Sequence, residues 1–178
     1  MSDELKIKES TLRLQKCDIT DIDIDSFVYY ARNDLALGSG FGTAISVRGG
    51  PTIQEELKQH GELETTQAVV SKAGEMKAKY IIHAVGPKFQ EENLENKLKT
   101  TIVNALKEAE INKITTIAFP PMGAGFYGVP LPVSADITLN TIAEYLKGDT
   151  KIKDVVVCLL DNRDYTPYKG KLADIGKA

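Results

Sequence analysis

The stretch PPMGAGFYGVP, residues 120–130, decides how the rest of the chain is read. Gly123, Gly125 and Gly128 spell GxGxxG, the glycine signature of dinucleotide-binding folds, but Pro120 and Pro121 precede it and Pro130 follows it. In a nicotinamide-dinucleotide fold that signature opens the first βαβ unit, and an acid about 20 residues on takes the ribose. Here it stands two-thirds along the chain, and the next acid at a strand end is Asp161, more than 30 residues past Gly128. A nicotinamide enzyme is therefore one alternative. A different phosphate cradle between a strand and a helix is the other.

Working outward, Ile114–Phe119 before the stretch is a compact apolar strand, and Pro132 after it suits the first turn of a helix. Ala135, Leu139, Ile142 and Leu146 give that helix a buried stripe, and Gly148 ends it. Asp154–Leu160 reads as a fully buried strand, and the polar ending holds at most one short helix. Upstream, Leu94, Leu98, Ile102, Ala105 and Ala109 predict a helix over 93–110. Thr66–Ser71 and Tyr80–Val85 predict strands paired antiparallel, because the turn at Gly74 is too short for a crossover helix. Leu5–Lys8, Thr11–Lys16 and Ser26–Tyr30 are further strands. An irregular segment runs from Arg32 to about Gly40. Two short helices follow, Thr43–Val47 and Thr52–Gln59, the second opened by a Thr52/Glu55 capping box. The order predicts an α/β fold: a three-layer α/β/α sandwich around a mixed, mostly parallel sheet, in one domain over 1–178.

A second glycine loop, GSGFGTAI (Gly38–Ile45), also runs from a strand into a helix. Ligands of such sheets sit beyond the carboxyl ends of the strands, so the two loops are expected to face one crevice. Loops that turn N–H groups inward, at helix N-termini, bind anions without a lysine. No Gly-Lys-Ser/Thr triplet is present, which excludes a P-loop.

The net charge of −3 argues against general nucleic-acid binding, which needs a basic face. No apolar run approaches the ~20 residues of a membrane span, and the polar opening MSDELKIKES is no signal peptide. Two histidines, His60 and His83, and two cysteines, Cys17 and Cys158, show no metal-ligand spacing, so neither metal nor cofactor is expected. Cys17 and Cys158 read as buried free thiols in a cytoplasmic protein. His83, inside a buried strand, reads as structural.

Four pieces in order resemble the macro domain family, over about residues 12–165. They are Cys17-Asp18-Ile19-Thr20, VYYARNDLALGSGFGTAI (28–45), IIHAVGP (81–87) and GAGFYGVP (123–130). The resemblance implies binding of ADP-ribose or a derivative. Asp18 is then expected to accept from the adenine amine, with the Ile19 N–H beside it; a turn or cap role is the alternative for Asp18. Gly38, Ser39, Gly40 and Phe41 are expected to wrap the pyrophosphate and distal ribose from one side. Gly123, Ala124, Gly125, Phe126, Tyr127 and Gly128 cover it from the other through backbone N–H groups, with Tyr127 against the distal ribose. Leu160 and Asp161 border the adenine pocket. ADP-ribosylated protein is the partner that the resemblance adds.

The first loop departs from the family's Val-Asn-Ala-Ala-Asn. Tyr29 and Arg32 replace the two asparagines, and Ser39 stands inside the glycine triplet. Arg32 is a fixed cation that cannot accept a hydrogen bond as an asparagine can, which departs from the family's usual hydrolytic arrangement; it is the one candidate for a catalytic role, and it favours an anion at the distal end of the ligand. Its alternative is pairing with Asp34. No serine–histidine or cysteine–histidine arrangement is evident. Two functions stay open: hydrolysis of an acyl, phosphate or protein link to ADP-ribose, or an ADP-ribose-binding module without turnover.

Overall fold

The computed structural model describes residues 3–38 and 40–177, with Phe126 described by its backbone alone. Seven strands form one sheet: β1 (Glu4–Ile7), β2 (Ser10–Lys16), β3 (Ser26–Tyr30), β4 (Ala68–Lys72), β5 (Tyr80–Ala84), β6 (Thr116–Phe119) and β7 (Asp154–Leu159). Their order is β1-β2-β7-β6-β3-β5-β4. The two outer pairs, β1/β2 and β4/β5, are antiparallel, and every pair between them is parallel. The helices are α1 (Phe41–Gly49), α2 (Thr52–Leu57), α3 (Leu94–Ile111), α4 (Leu131–Lys147) and α5 (Asn162–Lys177).

The two-residue period of each strand sorts its side chains into two cores. Phe27 and Tyr29 of β3 join Ile45, Ile53 and Leu57 of α1 and α2. Val28 and Tyr30 of the same strand join Leu98, Ile102, Leu139 and Ile142 of α3 and α4 on the other face. β7 divides likewise, with Val156 and Cys158 on the α1/α2 face and Val155, Val157 and Leu159 on the α3/α4 face. This is the expected three-layer α/β/α sandwich. Each fully buried leucine or isoleucine of these cores contributes ~1.5–3 kcal/mol, which is why strands with no polar face form here.

Four sequence expectations shift. The first helix is two residues longer at each end than Thr43–Val47, because the Ala44 N–H already donates to the Gly40 carbonyl (3.1 Å). The capping box does not form: Pro51 is the cap, with helical angles (φ −76°, ψ −16°), so Thr52 lies inside the helix and no side chain caps it. Thr66 has φ +85° and stands outside the strand, which begins at Ala68. The chain ends in a helix of 16 residues rather than a short one. Tyr168 anchors it, fully buried and hydrogen-bonded at 2.6 Å to Ser134 Oγ of α4. Pro167 and Gly170 inside the helix had obscured its length. Among the described residues no helix is long and apolar enough to cross a membrane.

Candidate nucleotide-binding cavity

β2, β7, β6 and β3 are adjacent and parallel, so all four carboxyl ends emerge at one edge of the sheet. The segments that leave them surround a cavity of about 670 Å³. β2 supplies Cys17, Asp18, Ile19 and Thr20. β7 supplies Cys158 and Leu160, and the start of α5 adds Asp164. β6 leads into Pro120, Pro121, Gly123, Ala124 and Tyr127. β3 supplies Tyr29, Tyr30 and Arg32, followed by Gly38, Gly40, Phe41 and Ala44. From β2 to β3 is three strand spacings, ~14 Å in all at ~4.8 Å each, so the cavity is a trough on the scale of a nucleoside diphosphate sugar.

At the β2 end, Asp18 caps the turn of 3₁₀-helix at Ile19–Asp21. Its Oδ1 accepts from the Thr20 N–H (2.9 Å) and the Thr20 hydroxyl (2.6 Å). Oδ2 faces Arg48 at 3.4 Å. The hydrogen bonds from Thr20, with help from Arg48, hold the carboxyl below the ordinary carboxylate value. Asp18 is thus both a cap and an ionised wall group with acceptor capacity left on Oδ2. Leu160 is 73% exposed and forms a rim rather than a floor. Asp161 is not among the lining residues: its Oδ1 accepts from the Asp164 N–H (3.0 Å) and so caps α5. Asp164 lines the cavity in its place. Burial and the neighbouring Asp161 push its carboxyl upward.

In the second glycine loop only part of the expected stretch meets the cavity. Gly123, Ala124 and Tyr127 line it, whereas Gly125 and Gly128 do not. The Gly128 N–H donates to the Gly125 carbonyl (2.9 Å) and the Ala124 N–H to Pro121 (3.2 Å), so two N–H groups of the loop are spent on its own turns. The Phe126 side chain lies outside the described residues. Gly123 has φ +78°, and a Cβ there would stand 2.7 Å from Val129 Cγ2, so the loop turns here only with glycine. No residue of the first turn of α4 is among the described lining residues.

The first glycine loop does bring a helix N-terminus to the cavity. Gly40, Phe41 and Ala44 line it at the start of α1, where first-turn N–H groups have no intrahelical acceptor. Gly38 lines it too; Ser39 lies outside the described residues. Arg32 lines the cavity and pairs with Asp34 (2.9 Å), the contact expected as its alternative.

The sequence reading missed several wall residues. Tyr29 and Tyr30 are nearly buried (7% and 6% exposed) yet line the cavity. Tyr30 packs its ring 4.5 Å from that of Tyr127 and donates to the Pro87 carbonyl. Burial pushes the Tyr29 phenol up to about 12. Cys17 and Cys158, distant in sequence, become neighbours because β2 pairs with β7; the Cys17 N–H donates to the Leu159 carbonyl (3.1 Å). Cys17 is only half-buried, unlike the expectation of two buried thiols. Burial, and then Cys17, push the Cys158 thiol well up. Strand pairing is a long-range property, so no local signal announces this contact. Among the described residues no group of three or more metal-ligating side chains assembles. His83 is sealed in β5, its Nε2 2.8 Å from Ser71 Oγ, and does not line the cavity.

The sequence model of the macro domain family matches residues 30–138. The chain is 39% identical over 172 residues to a macro domain-containing protein of Caldanaerobacter subterraneus subsp. tengcongensis, covering 93% of this chain and 98% of that one. It is 34% identical over 177 residues to the ADP-ribose glycohydrolase MACROD2 of Xenopus laevis, covering 96% of this chain and 42% of that protein. The solved Oceanobacillus iheyensis macrodomain with ADP superposes with a TM-score of 0.92 at 28% identity, covering 98% of this chain and 96% of that one. A mutant of the same macrodomain, solved with ADPR, superposes with a TM-score of 0.90 at 28% identity over 98% of both chains. With the layered sheet, the two glycine loops and the trough between them already in place, these matches show that the chain belongs to the macro domain family.

Proposed function

We propose that this protein binds ADP-ribose or a close derivative in the trough. Adenine lies at the β2/β7 end beside Asp18 and Ile19, the pyrophosphate between the two glycine loops, and the second ribose near Tyr127 and Arg32. One observation carries the reading: both glycine loops, one of them opening α1, line the same 670 Å³ cavity that Asp18 closes at its far end. An anion there meets the N-terminal N–H groups of α1, so an acidic protein can hold a diphosphate without a lysine. Solved macrodomains described as bound to ADP and ADPR support the same ligand class.

Turnover is the second reading, favoured by the glycohydrolase activity named for the Xenopus relative. The lining residues favour binding alone. The wall carboxylates are Asp18 and Asp164, both at the β2/β7 end and ~14 Å from the end where a bond to the second ribose would be cut. No serine or histidine is among the described lining residues. If a water attacks, it is positioned by ligand and backbone, with Arg32 the charged group nearest to it. ADP-ribosylated protein is the partner this reading allows. A reducing cytoplasm is the setting that the two free thiols support.

Calorimetric titration with ADP-ribose, ADP and NAD tests the binding. Micromolar or tighter binding of ADP-ribose is expected, and no heat with any of the three refutes the site. Chromatography of ADP-ribose released from a modified protein substrate separates hydrolase from binder.

A further inference from the structure

The β3 end of the trough holds two polar groups that an ADP-ribose site of the usual family pattern lacks. Tyr29 is 7% exposed, and its ring is fixed edge-on to Phe41 (5.0 Å) and His83 (5.9 Å). Its hydroxyl has no hydrogen-bond partner among the described residues. Tyr29 itself is one of the residues that line the cavity. That hydroxyl lies beside Gly42 in the first turn of α1, only 2.7 Å from where a Cβ on Gly42 would sit. Arg32 reaches the same loop: its Nη1 is 3.2 Å from the position of a Gly38 Cβ, while Nη2 holds Asp34. A phenol raised by burial stays a donor at neutral pH, and an arginine keeps a free edge of its fork after one carboxylate contact. A nearly buried hydroxyl, an incompletely paired guanidinium and a helix N-terminus meet at one end of one cavity.

We propose that Tyr29 and Arg32 form a subsite for an anionic group, a phosphate monoester or a carboxylate, attached to the sugar at the distal end of the nucleotide. The proposal rests on ADP-ribose lying in the trough with its second ribose toward β3. The subsite makes this protein a selector of acidic ADP-ribose derivatives over ADP-ribose itself. Asp34 tempers it, because its carboxylate takes part of the positive field of Arg32.

The test is calorimetric affinity for ADP, ADP-ribose and ADP-ribose bearing a terminal phosphate. NAD and its nicotinic-acid analogue, which differ only in amide against carboxylate, form the second arm. The wild-type protein is compared with Tyr29→Phe, Arg32→Gln and Asp34→Asn, each checked for a cooperative thermal melt. The expected result is a preference of about tenfold or more for the phosphorylated over the plain ADP-ribose, shrinking as salt is added. Tyr29→Phe and Arg32→Gln lower that ratio severalfold. Asp34→Asn raises it, a sign that a merely structural role does not produce. A preference in the phosphate arm alone assigns the subsite to phosphate, and one in the NAD arm alone assigns it to carboxylate. A ratio near one in both arms while ADP-ribose binds overturns the subsite and leaves the ADP-ribose reading standing. A loss shared equally by ADP and both ADP-ribose forms places the two residues on the pyrophosphate and also overturns it. Absence of binding by all five ligands removes the subsite together with the ADP-ribose reading.

Discussion

Gly42→Ala sets two effects against each other. Gly42 is the second residue of α1, and alanine inside a helix is worth ~1 kcal/mol more than glycine, so propensity alone predicts a more stable protein. The neighbourhood predicts the opposite. A Cβ on residue 42 would stand 2.7 Å from the Tyr29 hydroxyl and 2.8 Å from the carbonyl carbon of Leu37. The hydroxyl can yield only by moving a ring packed against Phe41 and His83, and Leu37 presents main chain. Overpacking of this kind costs ~1–3 kcal/mol, and contacts this short belong in the upper half of that range. The net expectation is destabilisation by ~1–2 kcal/mol, or a fall of ~2–8 °C in the melting midpoint. Adding Tyr29→Phe removes one of the two clashes and restores part of the loss, while the Leu37 contact remains. Urea unfolding of the wild type, both single variants and the double variant measures all terms of the cycle. A Gly42→Ala protein as stable as the wild type or more so, with unchanged affinity for ADP-ribose, would refute the placement of Tyr29 against α1.

Other expectations follow from charge and exposure. Because Asp18 is held below the ordinary carboxylate value, adenine recognition is expected to stay flat between about pH 5 and 8 and to weaken only in stronger acid, as the acceptor protonates; titrations across that range check it, and a break near neutrality speaks against Asp18. Burial holds His83 down to about 3, so the unfolded chain takes up its proton near 6.5 while the folded chain does not. Its contribution is therefore complete above pH ~6.5 and is lost steadily as pH falls toward the folded value; His83→Gln should flatten that slope in denaturant titrations, and a slope that persists sinks the assignment. Cys158 is 4% exposed and Cys17 half-buried, both on the cavity wall, so a thiol reagent should label Cys17 first, and ADP-ribose should slow the labelling. Peptide mass mapping reads both, and equal rates with and without nucleotide place the ligand elsewhere.

Much of the architecture was legible because it is written in short-range periodicity. The all-buried run Ser26–Tyr30 is β3 to the residue, and the stripe Ala135, Leu139, Ile142 and Leu146 is the buried face of α4. Both glycine loops announced themselves by lying between an apolar strand and a helix. What escaped was set by tertiary contact. Tyr168 ties α5 down through Ser134, so the helix runs through Pro167 and Gly170 against local propensity. The meeting of Cys17 with Cys158 depends on β2 and β7 being neighbours in the sheet. Asp164 faces the trough because Asp161 caps the helix three residues earlier, and two acids in a polar tail do not reveal which of them turns inward. In the second loop GxGxxG marks where the backbone turns, but not which N–H groups the loop uses on itself: those of Ala124 and Gly128 go to its own turns.

The departures of the first loop are not isolated replacements of the family's two asparagines. Tyr29 fills a volume bounded by Phe41, His83 and the bare backbone of Gly42, and Tyr30 lies so close to Gly86 that a Cβ there would fall 2.2 Å from its ring. Each tyrosine thus has a glycine opposite it. Restoring an asparagine at position 29 would leave an apolar hole of most of a ring, and truncating a buried aromatic costs ~3–5 kcal/mol. Tyr29→Asn is therefore expected to unfold at markedly lower denaturant, whereas Arg32→Asn, at a side chain 54% exposed, is expected to melt close to the wild type. Tyr29 is part of the core as well as the wall, and Arg32 is wall alone. Arg32→Asn consequently tests ligand choice without confusing it with folding: if the acid-selective subsite exists, it loses discrimination for acidic ligands at nearly constant stability. Loss of both together would mean that Arg32 and Asp34 serve to hold the loop, and that selection lies elsewhere.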